Sequence, residues 1–347
     1  MTDRLPASPA RPTGSDTDWG NEVLDEKSIR IRVLSAVLEP VVASVYFSPE
    51  GHDAFHALGF GPSSGEVPYD EWGTPHWGPC LMPDYTAYIS SRGALMGNPT
   101  GAVVAATFGV FQPAMVIAMW NEGRSIASPE ASRAARDAGA IAQLERILGP
   151  KPDEVDRVNE LLARAGKGLP LPGRPMYAGL MSMELPPAPL GTMWRLGDRL
   201  REFRGDAFVA AWTTAGFGGC QIQLLTEILA GFPPRSYTSA RGWTPEEMNQ
   251  AEAELTAMGY VADGKATEAG RRVREEIEVA VDVSCSLMVD NLGDDIVELV
   301  AVLSKWGETI VAAKGHAPAT PQQQIMDPDI QTWMTEHGLN RFAFGPS

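Results

Sequence analysis

The sequence predicts a mainly α-helical protein with one short β-wing, and three observations carry that prediction. Apolar residues recur at helical spacing, as in Val33, Val37, Val41 and Val45 or Met248, Ala251, Leu255 and Met258. Helix-starting residues stand before such runs, among them Ser128-Pro129, Thr267, and Thr244-Pro245 with Glu247 completing a capping box. The clearest pair of strands is Tyr260-Val261 and Lys265-Ala266, joined by Asp263-Gly264, a dipeptide that supplies the positive φ angles of a type I′ turn.

Residues 1–25 are rich in Pro, Ser and Asp and are expected to be disordered. A helical domain is expected over 26–190. Its first helix runs from Glu26 to Phe47 and is kinked at Pro40. Glu39 lies in this apolar run, either at the rim of the stripe or as a paired buried carboxylate. A short helix from Ser48 ends at Gly59. Residues 59–84 then read as a long loop carrying Tyr69, Trp72, His76, Trp77 and Cys80. So many aromatics point to a cover over a pocket or a neighbouring subunit, with Trp72, His76 and Trp77 as its lid residues. Further helices are expected at 85–96, at 99–120 with a bend at Pro113, from Pro129 to Gly149, from Lys151 to Gly166, and briefly around 177–183.

A winged-helix domain is expected over 191–285. DAFVAAWTTAG and CQIQLLTEIL form its supporting helices, Thr244 to Met258 the capped helix, and Val273, Ile277 and Val281 the inward stripe of the helix after the wing. A closing helix within 286–316 and a tail over 317–347, with a short helix at 327–337, complete the chain.

Helix, helix, capped helix, short wing and long helix is the order of a MarR-like winged helix. Over most of its length the chain also resembles an actinobacterial family usually labelled helix-turn-helix. The resemblance is carried by VLEPVVASVYFSPE, SRGALMGNPTGAVVAATFGVFQPA, LREFRGDAFVAAW, LLTEILAGFPPRSYTSARGW and GYVADGKATEAGR. The label implies no chemistry. Its members often carry a histidine where Phe208 stands here, and sometimes where Phe203 stands. The departure at both positions implies a phenyl-lined pocket in place of a metal, haem or acid–base site.

Charge argues against the most obvious role of such a fold. The chain has 28 basic and 44 acidic residues, a net charge of −16, which disfavours nucleic acid and anionic membranes. The helix from Thr244 to Met258 carries Glu246, Glu247, Glu252 and Glu254 and neither Lys nor Arg. Neutralising phosphates supplies most protein–DNA affinity, so these carboxylates oppose entry into a major groove. Were DNA bound, Asn249, Gln250 and Lys265 would be the contact residues. The three cysteines, Cys80, Cys220 and Cys285, are far apart and fit reduced thiols. With no apolar run of transmembrane length, a cytoplasmic protein without membrane contact is expected. Neither a nucleotide fingerprint nor a paired metal motif occurs, and His76 with Cys80 is too small a set for zinc, so no cofactor and no metal is expected.

Charges and aromatics crowd together once, from Arg201 to Phe208, with Trp212 beyond. The run is expected between two helices, where Asp206 caps the second one and Arg201 and Arg204 form ion pairs. The alternative reading is that Arg204 and Asp206 face a cavity between the helical and winged halves. Tyr46, Arg92, Phe203, Arg204, Asp206, Phe208 and Trp212 are the ligand-binding candidates there, with Arg241 and Trp243 beside them. Three functions follow. The first is binding of an apolar or aromatic small molecule on a winged-helix scaffold, with a homodimer as the assembly. The second is ligand-responsive transcriptional regulation of MarR type. The third is a metal-independent enzyme using Arg204, Asp206 or Tyr46.

Overall fold

The computed structural model describes residues 24–63, 65–66, 81–316 and 328–339. The expected lid residues Trp72, His76 and Trp77, with Tyr69, Cys80 and residues 1–23, lie outside the described residues, as does most of the C-terminal tail. The fold is mainly α, with very small antiparallel hairpins.

Helix α1 (Glu26–Val42) is capped by Asp25, whose carboxylate accepts the Ser28 N–H at 2.7 Å. It continues through Pro40 and then tightens into a 3₁₀ turn over Ala43–Phe47. Helix α2 (Pro49–Ala57) follows, and the two-residue strands β1 (Gly65–Glu66) and β2 (Leu81–Met82) pair antiparallel. Next come α3 (Tyr85–Gly93), α4 (Gly101–Phe108), α5 (Pro113–Ile126), α6 (Pro129–Leu148), α7 (Val155–Ala165) and the short α8 (Pro175–Met181). The bent helix expected over 99–120 is two helices. Gly109, at φ 57°, ends α4, and Gln112 and Pro113 start α5, because proline fits a first helical turn better than an interior.

The second half opens with α9 (Pro189–Thr214), which is 26 residues long. The sequence reading placed a junction at 201–208; the helix runs straight through it, since the charged side chains find partners on neighbouring elements. Then follow α10 (Gly219–Ala230), the single turn α11 (Ser236–Ser239), α12 (Pro245–Ala257) and the hairpin β3 (Val261–Ala262) with β4 (Lys265–Ala266). Thr244 and Glu247 form the capping box of α12, and Asp263 and Gly264 turn the hairpin at φ 51° and 70°. Helix α13 (Glu268–Leu292) is long, and α14 (Ile296–Ala312) and α15 (Pro328–Glu336) close the chain.

The largest apolar core gathers α1, α7, α9, the distal part of α13, and α14. A second lies within the winged segment, where Trp212, Leu225, Leu255, Val261 and Ile277 meet. A third joins α3, α4, α5 and α8 around Trp120. Helix α13 takes part in two of them: Val273 and Ile277 belong to the winged core, Val281, Cys285 and Met288 to the largest. Among the described residues no single helix is long and apolar enough to cross a membrane.

Helices α2 and α6 cross so closely that a Cβ on Gly139 would stand 2.4 Å from the Gly51 Cα. Both partners there are backbone, so neither can move aside alone. Gly139→Ala is expected to destabilise the protein by about 1–3 kcal/mol, the usual size of overpacking. A urea midpoint equal to that of the wild type would show that this crossing is not tight.

Candidate functional site

Polar residues recur along α9 at helical spacing, and each is held by a different element. Asp198 binds the Arg136 guanidinium of α6 through both oxygens, at 2.9 and 3.0 Å, and both side chains are fully buried. Arg136 also donates to the Tyr46 hydroxyl at 2.9 Å and lies over the Trp194 ring. Arg201 grips Glu39 of α1 at 2.7 and 2.9 Å, and reaches Glu202 at 2.8 Å. Glu202 in turn accepts two bonds from Arg92 of α3, at 3.2 and 2.9 Å. Arg204 donates to Glu278 of α13 at 2.6 Å, and Arg274 of the same helix shares that carboxylate. Asp206 accepts the backbone N–H groups of Met176 and Tyr177, so it caps α8 from outside.

Of these side chains, Glu39, Arg92, Arg201, Glu202, Arg204, Asp206, Arg274 and Glu278 form one side of a cavity of about 280 Å³ between the helical half and the winged segment, while the Asp198–Arg136 pair lies behind it. Phe47 and Tyr46 from the first helical segment, Tyr85 and Tyr88 from α3, and Phe108 and Phe111 around the α4–α5 break supply its aromatic surface. The winged segment contributes Gln223 and Thr226 of α10, Tyr237 of α11, Arg241, and Arg274 and Glu278 of α13. Arg274 donates to the Thr226 hydroxyl at 3.2 Å and lies over the Phe208 ring, which ties the winged helices to the wall.

The wall's ion pairs fix their own charge states. Flanked by Arg92 and Arg201, the buried Glu202 carboxyl is held down at about 2, and Arg274 and Arg204 hold Glu278 at about 2 as well, in both cases against the effect of burial. Burial pushes the Tyr46 phenol up to about 12, so at neutral pH it is a hydrogen-bonding group and no base. Asp206 behaves differently. Burial, only partly offset by its two backbone donors, lifts its carboxyl to about 6. The buried thiols of Cys220 and Cys285 are raised to about 12 and 11, far from a reactive thiolate. Among the described residues no group of three or more His, Cys, Asp and Glu could hold a metal ion.

Of the residues singled out from the sequence, Tyr46, Arg92, Arg204, Asp206, Phe208 and Arg241 line this cavity. Phe203 and Trp212 do not. The Phe203 ring is fully buried between Tyr177 and the Arg174 guanidinium, 3.5 Å from its centroid, and Trp212 belongs to the winged core. Both lie on α9: helical rotation turns Phe203 away from the face that carries Arg201, Gly205 and Phe208, whereas Trp212 shares that face one turn further along, beyond the cavity. Asp206 caps α8 and not a following helix, because no helix begins there. Arg204 takes Glu278 as its partner. The four-residue spacing of Arg274 and Glu278 was visible; that their face turns inward was not. Tyr85, Tyr88 and Arg92 share one face of α3, a signal carried by their spacing in the sequence. Asn249 and Gln250 are exposed on α12, and Lys265 is exposed on the wing.

The α10–α11–α12 succession with its β3–β4 hairpin defines a protein of the helix-turn-helix class. The chain belongs to the helix-turn-helix family, whose model matches residues 31–318 and thus covers the helical half as well as the winged segment. No curated protein and no solved structure matches it.

Asp206 has a consequence for pH. An unfolded Asp titrates at roughly 3.9, so between about 4 and 6 the native state binds more protons than the unfolded one. The stability that this group contributes is therefore full below about 4 and is lost as pH rises through 6. Asp206→Asn is expected to remove that component, giving a smaller fall in unfolding free energy between pH 4 and 6.5 than the wild type shows. Denaturant melts across this range test it, and parallel pH profiles would contradict the assignment.

Proposed function

We propose that the protein binds a small molecule with an apolar or aromatic body in the cavity between its two halves, on a winged-helix scaffold that serves packing more than DNA reading. The observation that carries this reading is the wall itself: aromatic rings on one side and side chains locked by buried ion pairs on the other. Such a pocket is largely formed before a ligand arrives, as small-molecule sites usually are. Tyr46, Arg92, Arg204, Asp206 and Phe208 are the proposed contacts, with Tyr85, Tyr88, Phe108 and Phe111 as aromatic neighbours. A homodimer through the winged segment and a cytoplasmic location remain part of the proposal.

Gly205 provides the test. It lies within α9 at the cavity wall, and an added Cβ would meet nothing nearer than Glu202 Oε2 at 3.4 Å. Replacing a helical glycine also favours the helix by up to about 1 kcal/mol. Gly205→Phe is thus expected to fold and to fill the cavity. Nile red, a neutral polarity-sensitive dye, is expected to bind the wild type saturably with a blue-shifted emission and to lose this with the variant. Equal binding by both proteins would overturn the reading.

Family membership is compatible with a transcriptional regulator, and a ligand-responsive one of MarR type is the second reading we propose. Against it stand the four glutamates of α12 and the packing of that helix's first turn. Glu247 accepts from Gln112 of the helical half at 3.1 Å, and Gln112 N–H bonds the Arg241 carbonyl at 2.9 Å. The end of α12 that would approach a groove is therefore partly occupied. Duplex DNA from the gene's own upstream region is expected to show no submicromolar, sequence-selective gel shift at ~150 mM salt; such a shift would make the regulator the better reading.

A further inference from the structure

The cavity wall has an uneven charge balance. Five arginines line it, Arg92, Arg201, Arg204, Arg241 and Arg274, against the carboxylates Glu39, Glu202, Asp206 and Glu278. Four of those arginines are in ion pairs, and they share three of the carboxylates. The fourth carboxylate, Asp206, is engaged by backbone N–H groups. Arg241 is different: among the described residues no carboxylate pairs with it. Its guanidinium lies over the Tyr237 ring at 4.3 Å and the Phe111 ring at 5.1 Å. Aromatic faces hold a cation in place without neutralising it. This occurs in a chain whose net charge is −16, so carboxylates to pair with it are plentiful elsewhere on the molecule.

A second observation points the same way. In the same wall, Arg204 Nε and Arg274 Nη1 are buried donors with no hydrogen-bond partner among the described residues. Arg274 is only 5 % exposed. Buried donors without partners are costly, and they show that this wall is short of acceptors. Donors that are unpaired call for an acceptor, and an unpaired cation calls for an anion.

We infer that the cavity takes a monoanionic small molecule, a carboxylic acid with an aromatic body, whose carboxylate seats on the Arg241 guanidinium. This rests on the cavity reading given above and narrows its ligand to one chemical class. The planar fork of arginine matches a carboxylate with two parallel bonds. The rings of Phe111 and Tyr237, which hold the guanidinium, leave the aromatic surface of Tyr85, Tyr88 and Phe108 for the ligand's body.

The experiment compares two probes of nearly equal shape, 2-naphthoate and its neutral amide 2-naphthamide, by calorimetric titration against the full chain. The wild type is expected to bind naphthoate about tenfold or more tighter than naphthamide, as a charge-assisted contact requires. Arg241→Met keeps an apolar stem of similar length and is expected to bring naphthoate down to the affinity of naphthamide, leaving the amide unchanged. Arg241→Lys, which keeps the charge and loses the fork, is expected to retain part of the preference. If naphthamide binds and naphthoate binds no better, the anion assignment is overturned while the cavity reading stands. If neither probe binds, both are overturned. The wild-type comparison decides even if Arg241→Met does not fold.

Discussion

Charge buried along one long helix is the constraint on which this structure depends. Asp198, Arg201, Glu202, Arg204 and Asp206 all lie on α9, inside a protein whose neighbouring helices cover it from several sides. An isolated charge there would be too costly to keep. Each is therefore matched, and the matching residues come from α6, α1, α3, α13 and the start of α8 in turn. The apolar cores supply the driving force for association of these helices. The ion pairs supply register: a helix that slid by one turn would strand several buried charges at once. Arg136 shows the density of this arrangement, since its one guanidinium bridges Asp198, Tyr46 and the face of Trp194.

The same network explains why the winged segment is not an appendage. Helix α13 carries Val273 and Ile277 in the winged core and Cys285 and Met288 in the largest core. Between those stretches stands Glu278, which holds Arg274 on its own helix and Arg204 on α9. Trp243, just ahead of α12, donates to the Val110 carbonyl at 2.9 Å, so the break between α4 and α5 is pinned to the winged segment from the other side. The cavity is what remains between these two lines of attachment.

Local features of the fold were legible in the sequence. The caps at Thr244, Thr267 and Ser128 act within a few residues of themselves, and the Asp263-Gly264 turn depends only on its own backbone. Pro113 misled because the same residue bends a helix or begins one, and only the chain before it decides. Gly109, in a left-handed conformation, decided for a new start. The charged run at 201–208 reads as a junction because four ionisable residues within six positions look solvated. Their partners lie far away in sequence, Glu39 and Glu278 among them, and no periodicity encodes such a pairing. The site was legible to the same extent. Arg92, Arg204, Asp206 and Tyr46 are polar groups in apolar surroundings and could be picked out singly. Which aromatic rings face them depends on the rotation of α9, and on that point Phe203 and Phe208, five residues apart, part company.

A helix-turn-helix segment built into such a frame has different freedom from one on a flexible arm. To read DNA, α12 must present its N-terminal turn to a groove while its neighbours stand clear. Here that turn is held by Gln112 through Glu247, Arg235 is paired to Glu252 midway along the helix, and Glu254 accepts from Gln221. Three of the helix's four glutamates are thus engaged within the protein, and they bind α12 to α5, to the α10–α11 loop and to α10. Removing them to make a basic surface would cost those attachments. The acidic character of α12 is therefore structural as well as electrostatic. A molecule lodged in the cavity would touch α9 and α13 together, and so both cores that meet at Glu278. In this fold the place where a small molecule has most influence is that shared helix, whatever surface the winged segment turns outward.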